Sequence, residues 1–160
     1  MAYSNILRRL REEKTNYRKR GTLLTGRRDF ITVNITNENT QVQILKPGVT
    51  GDKVIASAHS TYLIKKGWKG SRKSVPAAYL TGYLAGKKAI GSGAKDAVLY
   101  TGTRRYTQRV AAALKGVVDA GVEVPADAET FPSDDRINGD HLTVKNDTSK
   151  IKSAIDSEVK

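Results

Sequence analysis

Three stretches of the chain place cations beside an aromatic ring or a glycine, a combination that can neutralise phosphate and stack on an unpaired base. The first is RRLREEKTNYRKR with an Arg pair behind it; it sets Arg8, Arg9, Arg11, Lys14, Arg18, Lys19, Arg20, Arg27 and Arg28 around Tyr17. The second, KKGWKGSRKS at residues 65–74, joins Lys66, Lys69, Arg72 and Lys73 to the only tryptophan, Trp68. Its two glycines let backbone approach a ligand closely. Two readings of Trp68 stand side by side: a platform for a stacked base, or a plug at the edge of the core. The third, TGTRRYTQR at residues 101–109, brings Arg104, Arg105 and Arg109 together with Tyr106 just ahead of an expected helix. Cations there oppose the helix dipole unless an anion is bound, which favours a phosphate-contacting role.

Residues suited to catalysis are sparse. His59 and His141 are far apart, and neither falls in a metal-ligand spacing, so both are read as surface or packing residues. A nuclease would need carboxylates gathered at strand ends to hold magnesium. Asp29, Asp52 and Asp96 are the candidates, all at strand starts or turns, and they make a weak case. No phosphate loop of the GxxxxGK[ST] kind is present, and Gly82-x-x-x-Gly86 is read as helix packing against a sheet. Neither an enzymatic activity nor a cofactor or bound metal is expected.

Charge supports a polyanionic partner. Lys and Arg number 28 against 16 Asp and Glu, a formal net charge of +12. The excess is uneven: residues 1–30 carry net +6, residues 31–115 net +11 and residues 116–160 net −5. The first two-thirds are therefore expected to face a nucleic acid, and the last third solvent or a protein. No stretch joins a large apolar face to a basic one, which disfavours a membrane surface, and no small-molecule substrate is implied. The absence of cysteine excludes disulfides and thiolate metal sites and favours an intracellular location. Glu12 and Glu13 interrupt the Arg-rich start, which is read as part of the mature protein rather than a transit peptide.

The elements that must position these cations follow from periodicity. Residues 1–28 read as a basic RNA-binding arm, with Ser4 capping a short helix striped by Ile6, Leu7 and Leu10, and with much of its length ordered only on a partner. Residues 29–142 read as a globular α/β domain. DFITVNI and TQVQIL alternate as half-buried strands and KVIASAH reads as a third strand, joined by short turns into an antiparallel three-strand meander. Ser60 caps a brief turn, and Ser74 with Pro76 opens a helix to about Ile90. DAVLY is a short strand that joins the sheet through this helical crossover. A second helix then carries Val110, Leu114, Val117 and Val118 on one face, with Gly121 and Pro125 beyond its end. PADAETFPSDDRINGD reads as a solvated loop and short helix, and residues 143–160 as a polar tail, loosely helical or disordered.

The blocks REEKTNYRKR, ASAHS, GWKGSRKSVPAAYLTGYLAGKKA, AALKGVVDAGVEVP and FPSDDRINGDHL occur in order between about Arg8 and Leu142. In these blocks the chain resembles archaeal members of the large-subunit ribosomal protein family numbered eighteen. The resemblance implies a ribonuclease-H-like α/β domain of the type found among translation components, without nuclease activity. It implies 5S rRNA, large-subunit rRNA and neighbouring ribosomal proteins of the central protuberance as partners, in the cytoplasmic large subunit. It also implies rRNA contacts from the arm residues Arg8 to Arg28, while the Trp68-to-Lys73 loop matches a motif of the archaeal family and YTQRV, Tyr106 to Val110, resembles the family's tyrosine- and arginine-containing loop. Tyr100 and Gln108 depart from the family pattern.

Overall fold

The computed structural model describes residues 8–144 and 146–158. Alternating apolar and polar residues build its first three strands: β1 (Asp29–Ile35), β2 (Thr40–Lys46) and β3 (Lys53–His59). They form the expected meander, β1 antiparallel to β2 with Val33 opposite Val42, and β2 antiparallel to β3 with Val42 opposite Ala58. Between β3 and the next strand lie α3 (Thr61–Lys65) and α4 (Val75–Gly91). β4 (Ala97–Leu99) then pairs parallel to β1, Phe30 opposite Val98, giving the order β3-β2-β1-β4. β3 runs parallel to β4, so α4 is the crossover that carries the chain from one edge of the mixed sheet to the other.

Period two separates the faces of this sheet. Ile31, Val33, Val42, Ile44, Ala56 and Ala58 are buried toward the helices. Thr32, Asn34, Gln41 and Gln43 lie half-buried on the opposite face. α4 and α5 (Gln108–Asp119) cover the first face. Ser74 occupies the N-cap of α4, but its hydroxyl donates to the Ser71 carbonyl at 2.8 Å, so the cap rests on backbone geometry and on Pro76 in the first turn. The motif Gly82-x-x-x-Gly86 does not pack on the sheet, as expected from sequence. A Cβ at Gly82 would stand 2.0 Å from the Ala113 carbonyl oxygen, and one at Gly116 2.2 Å from that of Tyr79. These glycines let α4 and α5 touch backbone to backbone.

Beyond α5 the described residues pack back onto the domain. Gly121, at φ +109°, ends α5, and Ile137 of α6 (Asp134–Asn138) is buried. α7 (Thr148–Glu158) then packs on α4 through Ile151 and Ile155, both core residues. Fully burying an aliphatic side chain of this size contributes about 1.5–3 kcal/mol, enough to hold a short helix that charge alone would leave in solvent. Tyr79 and Tyr83 of α4 complete the seam. Lys152 stacks over both rings, with its Nζ 4.7 Å from the Tyr83 centroid, and donates to Tyr79 Oη at 3.1 Å. Tyr79 in turn donates to Asp119 at 2.7 Å and Tyr83 to Asp156 at 2.6 Å. Burial first, and the Asp119 carboxylate second, push the Tyr79 phenol far above its ordinary range.

The basic arm is folded as well. α1 (Arg8–Arg11) and α2 (Tyr17–Thr25) are joined by a turn in which Thr15 is buried, and Asn16 caps α2 by accepting the Lys19 amide at 3.0 Å. Within its described residues, one residue of α2 has a seat on the domain. Arg20 forms two hydrogen bonds to Asp52, at 2.9 and 2.5 Å, and lies over the stacked rings of Phe30 and Tyr100. Ser4, Ile6 and Leu7 lie outside the described residues.

Candidate nucleic-acid interface

The docked arm turns the open face of the sheet into a groove. α2 forms one wall, the chain after β4 (residues 100–104) another, and Thr32, Asn34 and Gln43 the floor. The groove encloses about 640 Å³. Arg9, Lys14, Arg20 and Arg104 bring four cations to it, and Asp52 is the one carboxylate among the lining residues. That carboxylate is matched by Arg20, whose guanidinium it holds above its ordinary pKa. The remaining cations are exposed. Arg9 donates through Nε to Thr15 Oγ1 at 2.9 Å, Lys14 pairs with Glu12 at 2.7 Å, and Arg104 reaches the Asn34 amide oxygen. Lys19 ties the far wall to α2 by donating to Thr101 Oγ1 at 2.9 Å. Tyr17 opens α2 at the groove and is 40% exposed, so an aromatic face remains for stacking.

A second concavity, of about 360 Å³, begins where the first ends. Lys73, Arg104, Arg105 and Arg109 line it at the start of α5, and Arg104 belongs to both. α5 has no acidic residue in its first turn, and its N-cap Thr107 makes no side-chain capping bond. The amides there, the dipole and the four cations all favour an anion of phosphate type. Tyr106 is 43% exposed beside it.

Of the twelve cations singled out in the arm and in the Arg104–Arg109 loop, six line one or both concavities: Arg9, Lys14, Arg20, Arg104, Arg105 and Arg109. Arg11, Arg18 and Arg27 are exposed on the arm. Arg8 is paired with Glu12 at 2.8 Å and Arg28 with Asp96 at 3.5 Å, both on the surface, where such pairs are worth little and exchange readily for phosphate. Arg20 is the exception, spent inside the protein on Asp52.

The tryptophan loop is divided. Trp68 is only 4% exposed and belongs to the core, so it is the plug and not the base platform. Its loop closes on the segment before α7, where the Lys69 amide donates to Asn146 Oδ1 at 2.9 Å. Lys66 pairs with Glu158 of α7 and lies over the Tyr62 ring, which takes it out of the basic surface. Arg72 pairs with Glu38 at 3.3 Å, and the side chain of Lys69 is exposed. Only Lys73 of this loop lines either concavity.

The floor is what a sequence scan for cations misses. Thr32, Asn34 and Gln43 carry no charge and do not register in it. The signal was nevertheless present in the alternation that marked Ile31 and Val33 as core, since the residues between them must face the other way. The three nuclease carboxylates do not gather at one point, although Asp29 lies near enough to Asp96 to feel its charge. Asp52 is held by Arg20 and Asp96 by Arg28, and among the described residues no three His, Cys, Asp or Glu side chains are grouped as metal ligands.

A family model described as "Ribosomal large subunit proteins 60S L5, and 50S L18" matches residues 2–103, from the arm to the groove's second wall. Large ribosomal subunit protein uL18 of Aeropyrum pernix is 48% identical over 143 residues, 88% of this chain and 67% of that protein. The uL18 proteins of Thermofilum pendens and Methanococcoides burtonii are 45% and 40% identical, covering 88% and 97% of this chain and 72% and 91% of their own lengths. With more than half of its length matched and relatives this similar, the chain belongs to the family of large-subunit ribosomal proteins that groups 60S L5 with 50S L18.

Proposed function

We propose that this protein is a structural constituent of the large ribosomal subunit that binds 5S rRNA and attaches it to the large-subunit rRNA in the central protuberance. The observation that carries the reading is the continuous basic surface, from the docked arm through the groove to the start of α5, on a chain of this family. Cations set along two concavities suit folded RNA, whose phosphates follow a curved path, and counterion release supplies the affinity. The mixed sheet with helices on one face is compatible with a ribonuclease-H-like frame. In this reading the frame presents cations and amides and catalyses nothing, and the protein resides in the cytoplasm within the large subunit. The acidic last third faces neighbouring ribosomal proteins.

Binding of 5S rRNA against a tRNA of similar size, at rising salt, is the test. Preference for 5S rRNA that persists at physiological salt is the expected result. Equal affinity for both would leave only a general polycation.

A further inference from the structure

We propose that the groove between α2 and the open face of the sheet is a pocket for one unpaired nucleotide of the bound rRNA, with its phosphate on the cationic rim and its base on the floor. The inference rests on the rRNA-binding reading and says what that surface recognises. Its basis is the difference in chemistry between rim and floor. The rim is charged: Arg9 and Lys14 come from the arm and Arg104 from the chain after β4. The floor is uncharged and made of side chains from two paired strands, Thr32 and Asn34 of β1 and Gln43 of β2, with Thr32 standing opposite Gln43 in the register.

Phosphate contacts alone would need only the rim. The floor adds amides, the groups that match the donor and acceptor edges of a base. Asn34 accepts from Arg104, which fixes its amide. The Gln43 amide makes no side-chain hydrogen bond among the described residues, although the residue is half-buried, so a donor and an acceptor remain for a ligand. An A-form duplex hides its major-groove edges in a deep, narrow groove and keeps its Watson–Crick edges paired, whereas a base splayed from a loop or bulge can bring its pairing edge to this floor. The volume of about 640 Å³ also falls in the range of sites for small ligands, roughly 300–1,000 Å³, and suits a nucleotide rather than a helix of RNA. Tyr17 supplies a stacking face at the mouth. The pocket is preformed because Arg20 clamps α2 to Asp52 over Phe30 and Tyr100, so little ordering accompanies binding.

The test is chemical modification of 5S rRNA, free and bound to the full chain, with base methylation and carbodiimide reading the pairing edges of unpaired bases. The wild-type protein is expected to protect at least one unpaired base. Gln43→Leu should re-expose that base, weaken binding by no more than roughly tenfold and leave the salt dependence unchanged. Arg9→Ala with Lys14→Ala should instead flatten the salt dependence. An identical protection pattern for wild type and Gln43→Leu overturns the proposal. Ultraviolet crosslinking of the wild-type complex needs no variant: crosslinks at the peptides holding Tyr17 or Tyr100 support the pocket, and crosslinks confined elsewhere overturn it. The four nucleoside monophosphates form a further arm, and tighter binding of any of them than of the RNA would reassign the pocket to a free nucleotide. Failure to bind 5S rRNA at all would bring down the ribosomal reading itself, an outcome separate from bound RNA with no protected base.

Discussion

Trp68 and Arg20 show how a residue's type can suggest one role and its surroundings assign another. Both lie in the cation-rich stretches, and both are consumed by the protein's own structure, the indole by the core and the guanidinium by Asp52. Trp68→Ala should therefore lower the unfolding free energy by about 3–5 kcal/mol, the ordinary cost of deleting a buried indole, as read by urea denaturation. Trp68→Phe should lose less stability and keep its RNA affinity. Loss of affinity in a fully stable Trp68→Phe protein would restore the stacking role. Arg20 differs from its neighbours on α2 because its planar fork meets the carboxylate at two points, a geometry that a lysine could not reproduce. The Arg18 and Lys19 side chains next to it stay exposed, the second reaching Thr101.

At the scale of elements, α7 is the clearest departure from expectation. Its sequence alternates in charge and contains few apolar residues, yet Ile151 and Ile155, one turn apart, suffice to seat it on α4. The seam is also tuned by ionisation. The Tyr83 hydroxyl, and after it Lys87, hold the Asp156 carboxyl below its usual 3.8. A depressed carboxylate contributes stability that is present above the unfolded value and lost as pH falls through the lower folded value. Amide exchange of α7 is therefore expected to quicken below about pH 3.8, ahead of the α4 interior. Asp156→Asn should exchange faster at neutral pH and show a weaker acid dependence. Equal acid sensitivity in the wild type and the variant would mean that another carboxylate holds the seam. Glu158 is a group to control for, since Lys66 lowers its pKa also.

For the whole molecule, the separation of charge matters more than its sum. The arm, the groove and the start of α5 share one basic surface, whereas most of the acidic residues fall after α5. There Lys115, by a 2.6 Å ion pair, holds Asp134 below its usual pKa. Removing residues 1–28 should weaken binding to 5S rRNA without abolishing it, because the cations at α5 remain. The slope of log affinity against log salt should fall by about 0.7–0.9 for each phosphate that is no longer neutralised. Complete loss of binding in a protein that still folds would show that the arm alone carries the interface. Unchanged binding would place the interface on α5.

What the sequence determined by itself were the features that local pattern dictates. Period two in DFITVNI and TQVQIL specified two strands and their buried faces, KVIASAH was legible as a third strand, and the Ser74-Pro76 and Gly121-Pro125 signals bounded two helices within a residue or two. The three basic stretches were legible too, because charge survives in one dimension. The tertiary structure alone decided which cations are available and which are spent, since Asp52 lies 32 residues from Arg20, and Glu158 reaches Lys66 only once α7 is docked. It also decided that Trp68 is core, that α4 and α5 meet through glycines and that Thr148–Glu158 form a packed helix. Each of these depends on a packing partner distant in the chain, and neither periodicity nor composition names that partner. The groove is the extreme case: its rim was visible as charge, but its floor exists only because the arm folds back over the face of the sheet that the core leaves free.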